Sequence, residues 1–376
     1  MKICIATGTR ADWGILSPLA AALRDDPDTE LQILATNMHL LDSYGHTADE
    51  IEAAGFHIDE RVAMSDTEGR GAVARAIAMG ECLSGCARAF ERLAPDAVII
   101  LGDRFEMLAV ASAAVVMRIP IVHISGGETT GGAIDDSIRH AITQLATLHL
   151  VSAEPYRQRV IEMGKHPDVV VNTGSLGVWN MLNQQFPTRS ELAADLAFDH
   201  AAKFVVATFH SATLDDVPPA VRCRAMLQAL DRFPDLHVII TFPNNDAGSE
   251  EIIEEISRWH SENPLRSTLV KSLGLKRYLS AIREAEFVIG NSSSGIIEVP
   301  AVGTPVINIG IRQQGRLHGE GVIDCADDAD AISDAIEKAL SPEFKQIART
   351  ARNPYYAPDT IAKTLSSIKS LLQLNK

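Results

Sequence analysis

The stretch from Ala97 to Leu150 decides the fold: it begins AVIILGDRFE and later reads IPIVHISGGETTGGAIDDSIRHAITQLATLHL. Ala97–Leu101 and Ile119–Ile124 are short apolar runs rich in β-branched residues, which is typical of buried parallel strands. After Asp135-Asp136, apolar residues recur at helical spacing up to Leu148. The stretch therefore predicts strand, helix and strand in alternation, with polar loops at the carboxyl ends of the strands.

Three carboxylates are predicted to meet at that edge of the sheet. Asp103 follows the first strand, Glu128 lies in the glycine-rich loop after the second, and Asp135 opens the next helix. Open α/β sheets place their ligands at the carboxyl ends of the strands. For each residue alone, a turn or a helix cap is an equally good interpretation. The convergence of all three favours an active site.

Length and charge limit the possible functions. A chain of 376 residues exceeds one ordinary core, so two domains are expected. Its 34 Lys and Arg stand against 49 Asp and Glu, a net charge of −15 without a basic block, which argues against nucleic acid as a partner. An anionic substrate would have to be held by local Arg side chains and backbone N–H groups.

The sequence also indicates a cytoplasmic protein without a membrane partner. Its first residues, MKICIATGTR, hold a four-residue apolar run, too short for a signal peptide. No apolar stretch approaches the roughly 20 residues that span a bilayer. Five scattered cysteines suggest buried thiols in a reducing compartment, and no His or Cys pair completes a zinc site around Cys82 and Cys86.

The alternation of strands and helices continues through the chain and predicts an α/β fold of two Rossmann-like lobes facing a cleft. We expect an N-terminal lobe over residues 1–175 that carries the carboxylates. A second, nucleotide-binding lobe is expected over residues 176–358, beginning its strand series at FVVATF, residues 204–209. The last helix, within residues 359–376, is expected to pack back on the first lobe. A ligand would lie in the cleft between the lobes.

The second lobe has polar loops of its own after its predicted strands. GNSSSG, residues 290–295, offers hydroxyl and N–H groups suited to a diphosphate, although serine-rich helix caps are common. His210 directly follows a strand and suits an acid, a base or a phosphate donor, whereas a lone His is more often structural. In the first lobe, Arg10 follows the first strand at a turn into a helix, where it is either a phosphate ligand or a solvated side chain.

Several sequence blocks together resemble the UDP-N-acetylglucosamine 2-epimerases, most closely their hydrolysing, sialic-acid-pathway branch. The blocks, in order along nearly the whole chain, are GTRADWG, ILGDRFE, GGETTGGAIDDSIRHAIT, TFH, FPNNDAGS, GNSSSGIIEVP and GTPVINIGIRQQGR. The resemblance implies a glycosyltransferase-B-like fold, a UDP-linked sugar as substrate, a homodimer or homotetramer, and neither a metal nor an organic cofactor.

The resemblance also implies roles for particular residues. Asp103 and Asp135 match the family's catalytic carboxylates, His210 matches its active-site His, and Asp136 lies beside the catalytic Asp. Residues that match nucleotide-sugar contacts are Arg10, Arg104, Asn244, Ser292, Ser293, Glu298 and Arg312.

This chain departs from the family pattern at two positions. Ser125 stands where many members have a third acid, so Glu128 is the candidate to replace it, and Ile15 stands where many have a phosphate-binding Lys.

Three functions compete at this point. The first is hydrolysis of UDP-N-acetylglucosamine to N-acetylmannosamine and UDP through a 2-acetamidoglycal. Within that reaction type, a UDP- or GDP-linked 2,4-diacetamido-trideoxyhexose of the legionaminic acid route is the alternative substrate. The others are a retaining glycosyltransferase, since fold does not fix function, and a non-catalytic nucleotide-sugar sensor. Three carboxylates near a sugar site favour the first.

Overall fold

The computed structural model describes the chain except for residues 68–70, 131–133, 212–216, 244–247 and 375–376. It divides into two compact units. Unit 1 comprises Met1–Glu128, Asp135–Asn180 and Tyr355–Lys376, and unit 2 comprises Thr129–Ile134 and Met181–Pro354. The domain ranges inferred from the sequence stay a prediction, because compact units and folding domains need not coincide.

Unit 1 contains a parallel sheet in the order β3-β2-β1-β4-β5-β6-β7. The chain passes outward from β1 to one edge and then restarts beside β1 with β4, so the carboxyl ends of β1 and β4 flank the point where the strand order reverses, which is the usual ligand position in such sheets. The strands are β1 (Lys2–Thr7), β2 (Glu30–Thr36), β3 (Glu60–Val62), β4 (Ala97–Leu101), β5 (Ile121–Ile124), β6 (Leu148–Val151) and β7 (Val170–Asn172).

The helices of unit 1 cover the sheet and include one from the end of the chain. They are α1 (Arg10–Arg24), α2 (Ala48–Ala53), α3 (Gly71–Leu93), α4 (Phe105–Val116), α5 (Asp135–Leu145), α6 (Glu154–Glu162), α7 (Leu176–Asn183), which crosses the division between the units, and α15 (Thr360–Leu374). Ile368, Leu371 and Leu372 of α15 join the apolar core beside α1. Burying each such side chain contributes about 1.5–3 kcal/mol, which accounts for the attachment of α15 to this unit.

Unit 2 repeats the architecture with a six-stranded parallel sheet in the order β10-β9-β8-β11-β12-β13. Its strand order reverses between β8 and β11. The strands are β8 (Phe204–Thr208), β9 (His237–Thr241), β10 (Ser267–Val270), β11 (Val288–Gly290), β12 (Val306–Ile309) and β13 (Val322–Cys325). The helices are α8 (Arg189–Asp195), α9 (Pro219–Asp231), α10 (Ser249–Glu262), α11 (Gly274–Glu284), α12 (Ser293–Ile297), α13 (Ala329–Leu340) and α14 (Pro342–Thr350).

Within the described part of the chain, every helix is too short or too polar to cross a bilayer.

Two buried histidines lie side by side in the sheet of unit 1. His123 on β5 is in register with His149 on β6, and both are fully buried. Burial lowers the pKa of His123 to about 4, although its ring bonds the carbonyl of Gly102 at 2.8 Å. Burial, with smaller effects of His123 and Lys165, lowers the pKa of His149 to about 3. Neither ring nitrogen of His149 has a hydrogen-bond partner among the described residues. Both imidazoles are therefore neutral in the folded protein at neutral pH.

Because these histidines are neutral in the folded protein, we expect the protein to lose stability as the pH falls below 6.5. In the unfolded chain His149 becomes protonated below pH 6.5, whereas in the folded protein it becomes protonated only near pH 3. At pH 5 this one residue would lower the free energy of unfolding by about 2 kcal/mol. His149→Leu should therefore reduce the difference between the free energies of unfolding at pH 7.5 and pH 5 by about that amount, measured by urea titration.

The control for this prediction is His57→Leu, which replaces an exposed histidine of the same unit. It should keep the wild-type pH dependence. Identical pH dependence in both variants and the wild type would contradict the prediction.

Candidate active site

The first group of candidate residues surrounds one buried guanidinium in unit 1, that of Arg139 on α5. Its side chain is only 4% exposed and forms an ion pair with Asp103, while Nη1 donates to the carbonyl of Ser125 at 2.8 Å. The same Nη1 lies 3.6 Å from Oε2 of Glu128. Burial alone would lower the pKa of Arg139, but the charges of Asp103, Glu128, Asp135 and Asp136 raise it. The structure thus places Asp103 and Glu128 beside one cation, and the charges of Asp135 and Asp136 also act on it.

Arg139 was missed in the sequence analysis, although a signal was present. It lies four residues after Asp135, and residues spaced by four share one face of a helix. What the spacing alone does not show is that this face is buried and directed at the ends of β4 and β5.

Asp103 reaches Arg139 from the end of β4. The chain leaves the strand through Gly102, whose φ of 75° is in the left-handed region that glycine adopts without strain. The N–H of Gly102 donates to the carbonyl of Ile124 at 3.0 Å, which anchors the turn to β5. Asp103 is half-buried, as expected of a group that faces both the protein and a ligand.

Glu128 is held in the loop after β5. It is 2% exposed, and its Oε1 accepts a hydrogen bond of 2.6 Å from Ser152. A Cβ on Gly127 would lie 2.8 Å from the carbonyl oxygen of Tyr156, so this loop position requires glycine. Ser125, where many family members carry an acid, has a φ of 63°, a conformation that is uncommon outside glycine.

Asp135 and Asp136 form the first turn of α5, where the helix dipole favours negative charge. Both are half-buried. Asp136 lies 3.6 Å from the ring Nε2 of His140, one turn further along. Their placement supports both the capping and the catalytic interpretation, because a helix start stabilises a carboxylate in either role.

The two predicted basic ligands of unit 1 each have an acidic neighbour. Arg10 pairs with Glu50 of α2 at 2.6 Å, and Arg104 donates from Nε to the fully buried Glu106 at 2.7 Å. Nearby, burial raises the pKa of Asp12 to about 6, with Arg104 opposing the rise and Glu106 adding to it. Glu106 and Asp12 are acidic residues beside these arginines that the sequence analysis did not select.

The second group of candidates lies in unit 2, after β8, β11 and β12. His210 is 7% exposed, Glu298 and Arg312 are each 9% exposed, and Ser292 and Ser293 are half-buried at the start of α12. His210 and Arg312 line one pocket, together with the ion-paired Arg222 and Asp327 that the sequence analysis missed. Arg316, four residues after Arg312, donates to the carbonyl of Thr129 at 2.9 Å.

Asn244, the remaining predicted contact, lies outside the described residues. Among the residues that are described, no group of three or more His, Cys, Asp or Glu has an arrangement that could hold a metal ion.

The chain matches the family model described as UDP-N-acetylglucosamine 2-epimerase over residues 21–369. It is 39% identical to the "GDP/UDP-N,N'-diacetylbacillosamine 2-epimerase (hydrolyzing)" of Campylobacter jejuni, covering 92% of this chain and 89% of that protein. It is 32% identical to a UDP-N-acetylglucosamine 2-epimerase of Neisseria meningitidis, covering 90% of this chain and 88% of that protein.

Comparison with solved structures supports the fold. A crystal structure of UDP-GlcNAc 2-epimerase from Neisseria meningitidis bound to UDP-GlcNAc superposes with a TM-score of 0.82 at 16% identity, covering 98% of this chain and 100% of that one. The predicted α/β fold with two parallel-sheet domains of the glycosyltransferase-B type is therefore confirmed.

The structure predicts that Arg139 is essential for the stability of unit 1. Arg139→Met would leave Asp103 and Glu128 without their shared cation, and breaking a buried pair typically costs about 3–5 kcal/mol. Chemical denaturation at pH 7.5 measures the loss. Arg157→Met is the matched control, because the Arg157 side chain of the same unit is 30% exposed, pairs with the exposed Glu154 and donates to two backbone carbonyls. It should cost about 1 kcal/mol or less; equal losses in the two variants would refute a special role for Arg139.

Proposed function

This chain belongs to the UDP-N-acetylglucosamine 2-epimerase family and to its hydrolysing branch, and we propose that its substrate is a nucleotide-linked N,N'-diacetylbacillosamine. The observation that carries this choice is the 39% identity to the Campylobacter jejuni enzyme over 92% of the chain. The protein would release the free 2-epimer, a 2,4-diacetamido-trideoxymannose, and the nucleoside diphosphate.

UDP-N-acetylglucosamine, placed first by the sequence analysis, is the second candidate substrate. It is favoured by the 32% identity to the Neisseria meningitidis enzyme. Both sugars carry the same 2-acetamido group and differ at C4 and C6, so the chemistry at C1 and C2 is shared.

The chemistry at C2 dictates the order of events. The C2–H of a pyranose is not next to a carbonyl, so a carboxylate alone cannot remove its proton. As the C1–O bond to the diphosphate breaks, oxocarbenium character at C1 acidifies C2–H, and a base removes the proton to give a 2-acetamidoglycal. Water then adds at C1 while C2 is protonated from the opposite face, which inverts C2.

We assign the acid–base steps to Asp103 and Asp135, which lie with Glu128 around Arg139. Two carboxylates are needed because one proton leaves C2 on one face and another arrives on the opposite face. Asp136, beside Asp135, is the alternative for one of these roles, and Glu128 is the proposed third acid in place of the family's acid at Ser125. Each step of this kind contributes typically ~10²–10⁴-fold to the rate.

We assign nucleotide binding mainly to residues of unit 2. Arg312 suits the diphosphate, because a guanidinium forms charge-assisted bonds to phosphate oxygens. Ser292 and Ser293 add hydroxyl donors, Glu298 suits ribose hydroxyls, and His210 is proposed as a donor to the leaving diphosphate. Arg10 and Arg104 of unit 1 and Asn244 are further proposed ligands. The local cations matter because the chain has a net charge of −15 and would otherwise repel the anionic substrate.

We also propose that the enzyme is a homodimer or homotetramer that needs neither a metal nor an organic cofactor. Analytical ultracentrifugation tests the oligomeric state. Unchanged turnover after dialysis against EDTA tests independence from metal ions, and turnover by refolded protein with no added cofactor tests independence from an organic one.

The substrate is tested by incubating the protein with the two UDP sugars and with GDP-linked diacetylbacillosamine, and following released sugar and nucleotide by NMR. The proposal predicts the highest kcat/KM for a diacetylbacillosamine nucleotide. A higher value for UDP-N-acetylglucosamine would establish the second candidate, and transfer of sugar to an acceptor without free sugar would exclude both.

Asp103→Asn and Asp135→Asn should each abolish most turnover while UDP still binds, because an amide cannot exchange the proton. Single-turnover assays and UDP titration measure the two properties. If either variant kept more than about a tenth of the wild-type kcat, a loss below ~1.4 kcal/mol, that residue would not be an essential acid or base.

Arg312→Ala should weaken UDP binding about tenfold to a hundredfold, the range expected for losing hydrogen bonds to a charged group. Isothermal titration calorimetry measures this change. Arg224→Ala, which removes a guanidinium paired with Glu255 on the same unit, is the control and should bind UDP normally. Unaltered affinity in Arg312→Ala would place the diphosphate elsewhere.

A further inference from the structure

Asn291 lies where three segments of unit 2 meet, and no role was assigned to it above. It directly follows β11, whose last residue, Gly290, pairs with Thr208 at the end of β8. Gly290 has a φ of 137°, and a Cβ there would lie 1.9 Å from the carbonyl oxygen of Thr208, so the two strands approach as closely as a glycine allows. The N–H of Asn291 donates to the same oxygen at 3.2 Å.

The side chain of Asn291 continues the pairing of the two strands beyond their ends. Its Oδ1 accepts a hydrogen bond of 2.7 Å from the backbone N–H of His210, and its Nδ2 donates to the backbone carbonyl of His210 at 2.8 Å. Asn291 is 3% exposed. An amide supplies a donor and an acceptor together, whereas a carboxylate only accepts and a leucine of similar shape does neither.

The main-chain carbonyl of Asn291 holds the loop after β12. It accepts hydrogen bonds from Nη1 of Arg312 at 3.1 Å and from Nε2 of Gln313 at 2.8 Å. Gln313 is 2% exposed, so this contact is also shielded from water. Most buried amides are hydrogen-bonded for stability alone. Here, however, one residue binds both the backbone of His210 and the guanidinium of Arg312, the two residues assigned to the diphosphate.

We propose that Asn291 is a positioning residue that sets the placement of the His210 imidazole and the Arg312 guanidinium in the pocket of unit 2. It acts by fixing the backbone of His210 through two hydrogen bonds and the side chain of Arg312 through one. This inference rests on the proposed function for its kinetic consequence, but its structural content is independent of turnover.

The test compares Asn291→Leu and Asn291→Asp with Asn308→Leu. Asn308 is also buried in this unit and donates to Asp324 at 2.7 Å, so its replacement controls for the loss of any buried amide bond. The imidazole signals of the 12 histidines are followed by NMR in protein labelled with ¹³C-histidine, and His210→Gln identifies the signal of His210. UDP affinity, kcat and KM, and the thermal midpoint are measured in the same samples.

We expect the His210 signal to shift and broaden in Asn291→Leu, UDP to bind more weakly, and kcat to fall about a hundredfold, the loss typical of a misplaced catalytic group. Asn291→Asp keeps the acceptor toward the His210 N–H but sets a carboxylate oxygen against the His210 carbonyl, so it should also shift the His210 signal and lower kcat. Asn308→Leu should lower the thermal midpoint as much while leaving the His210 signal and kcat near the wild type.

An unmoved His210 signal in folded Asn291→Leu would overturn the proposal, as would equal losses of kcat in Asn308→Leu. If the wild-type protein turned over no nucleotide sugar, the proposed function would fail, while the histidine signal would still decide the role of Asn291. If Asn291→Leu did not fold, the Asn291→Asp variant would decide it by the same signal.

Discussion

The ion pairing around the buried Arg139 is the constraint on which the candidate site of unit 1 depends. The Arg139 side chain is only 4% exposed, and a charge buried to that extent needs close counter-charges. Asp103, Glu128 and the acidic start of α5 supply them. The same cation allows several carboxylates to lie close together in an already acidic protein. The acids that the proposed reaction needs and the cation that keeps them in place thus form one structural group.

Both units use the same property of parallel sheets to build their sites. In each, the strand order reverses beside the first strand of the unit, and the chain leaves the neighbouring strand through a glycine, Gly102 after β4 and Gly290 within β11. The polar residues that follow these glycines are Asp103 in one unit and Asn291 in the other. The same architecture thus carries two candidate sites: that of unit 1 is rich in carboxylates, and that of unit 2 is rich in hydroxyl and guanidinium groups.

Continuous apolar runs in the sequence predict strands such as β4, whose AVIIL is buried on both faces of the sheet. No such run marks β3 or β13, since β3 is a short edge strand with two charged residues and β13 is half exposed at the edge of the other sheet. The positions of the candidate carboxylates followed from strand ends in the same way. The contacts of Arg139, Asn291 and Asp327 did not follow from local patterns, because they join segments that are 11 or more residues apart in the chain and meet only through tertiary packing. The pairing of His123 with His149 needed the register of two strands, which no local pattern gives.

In the proposed reaction, C2 is inverted by elimination and hydration, so that a proton from solvent replaces the one removed from C2. The most direct measurement is turnover in deuterated water, with the released sugar examined by NMR. We expect free 2-epimer that carries deuterium at C2, formed together with the nucleoside diphosphate. Released sugar that retains its original hydrogen at C2, or a mixture of two intact nucleotide sugars without free sugar, would contradict it.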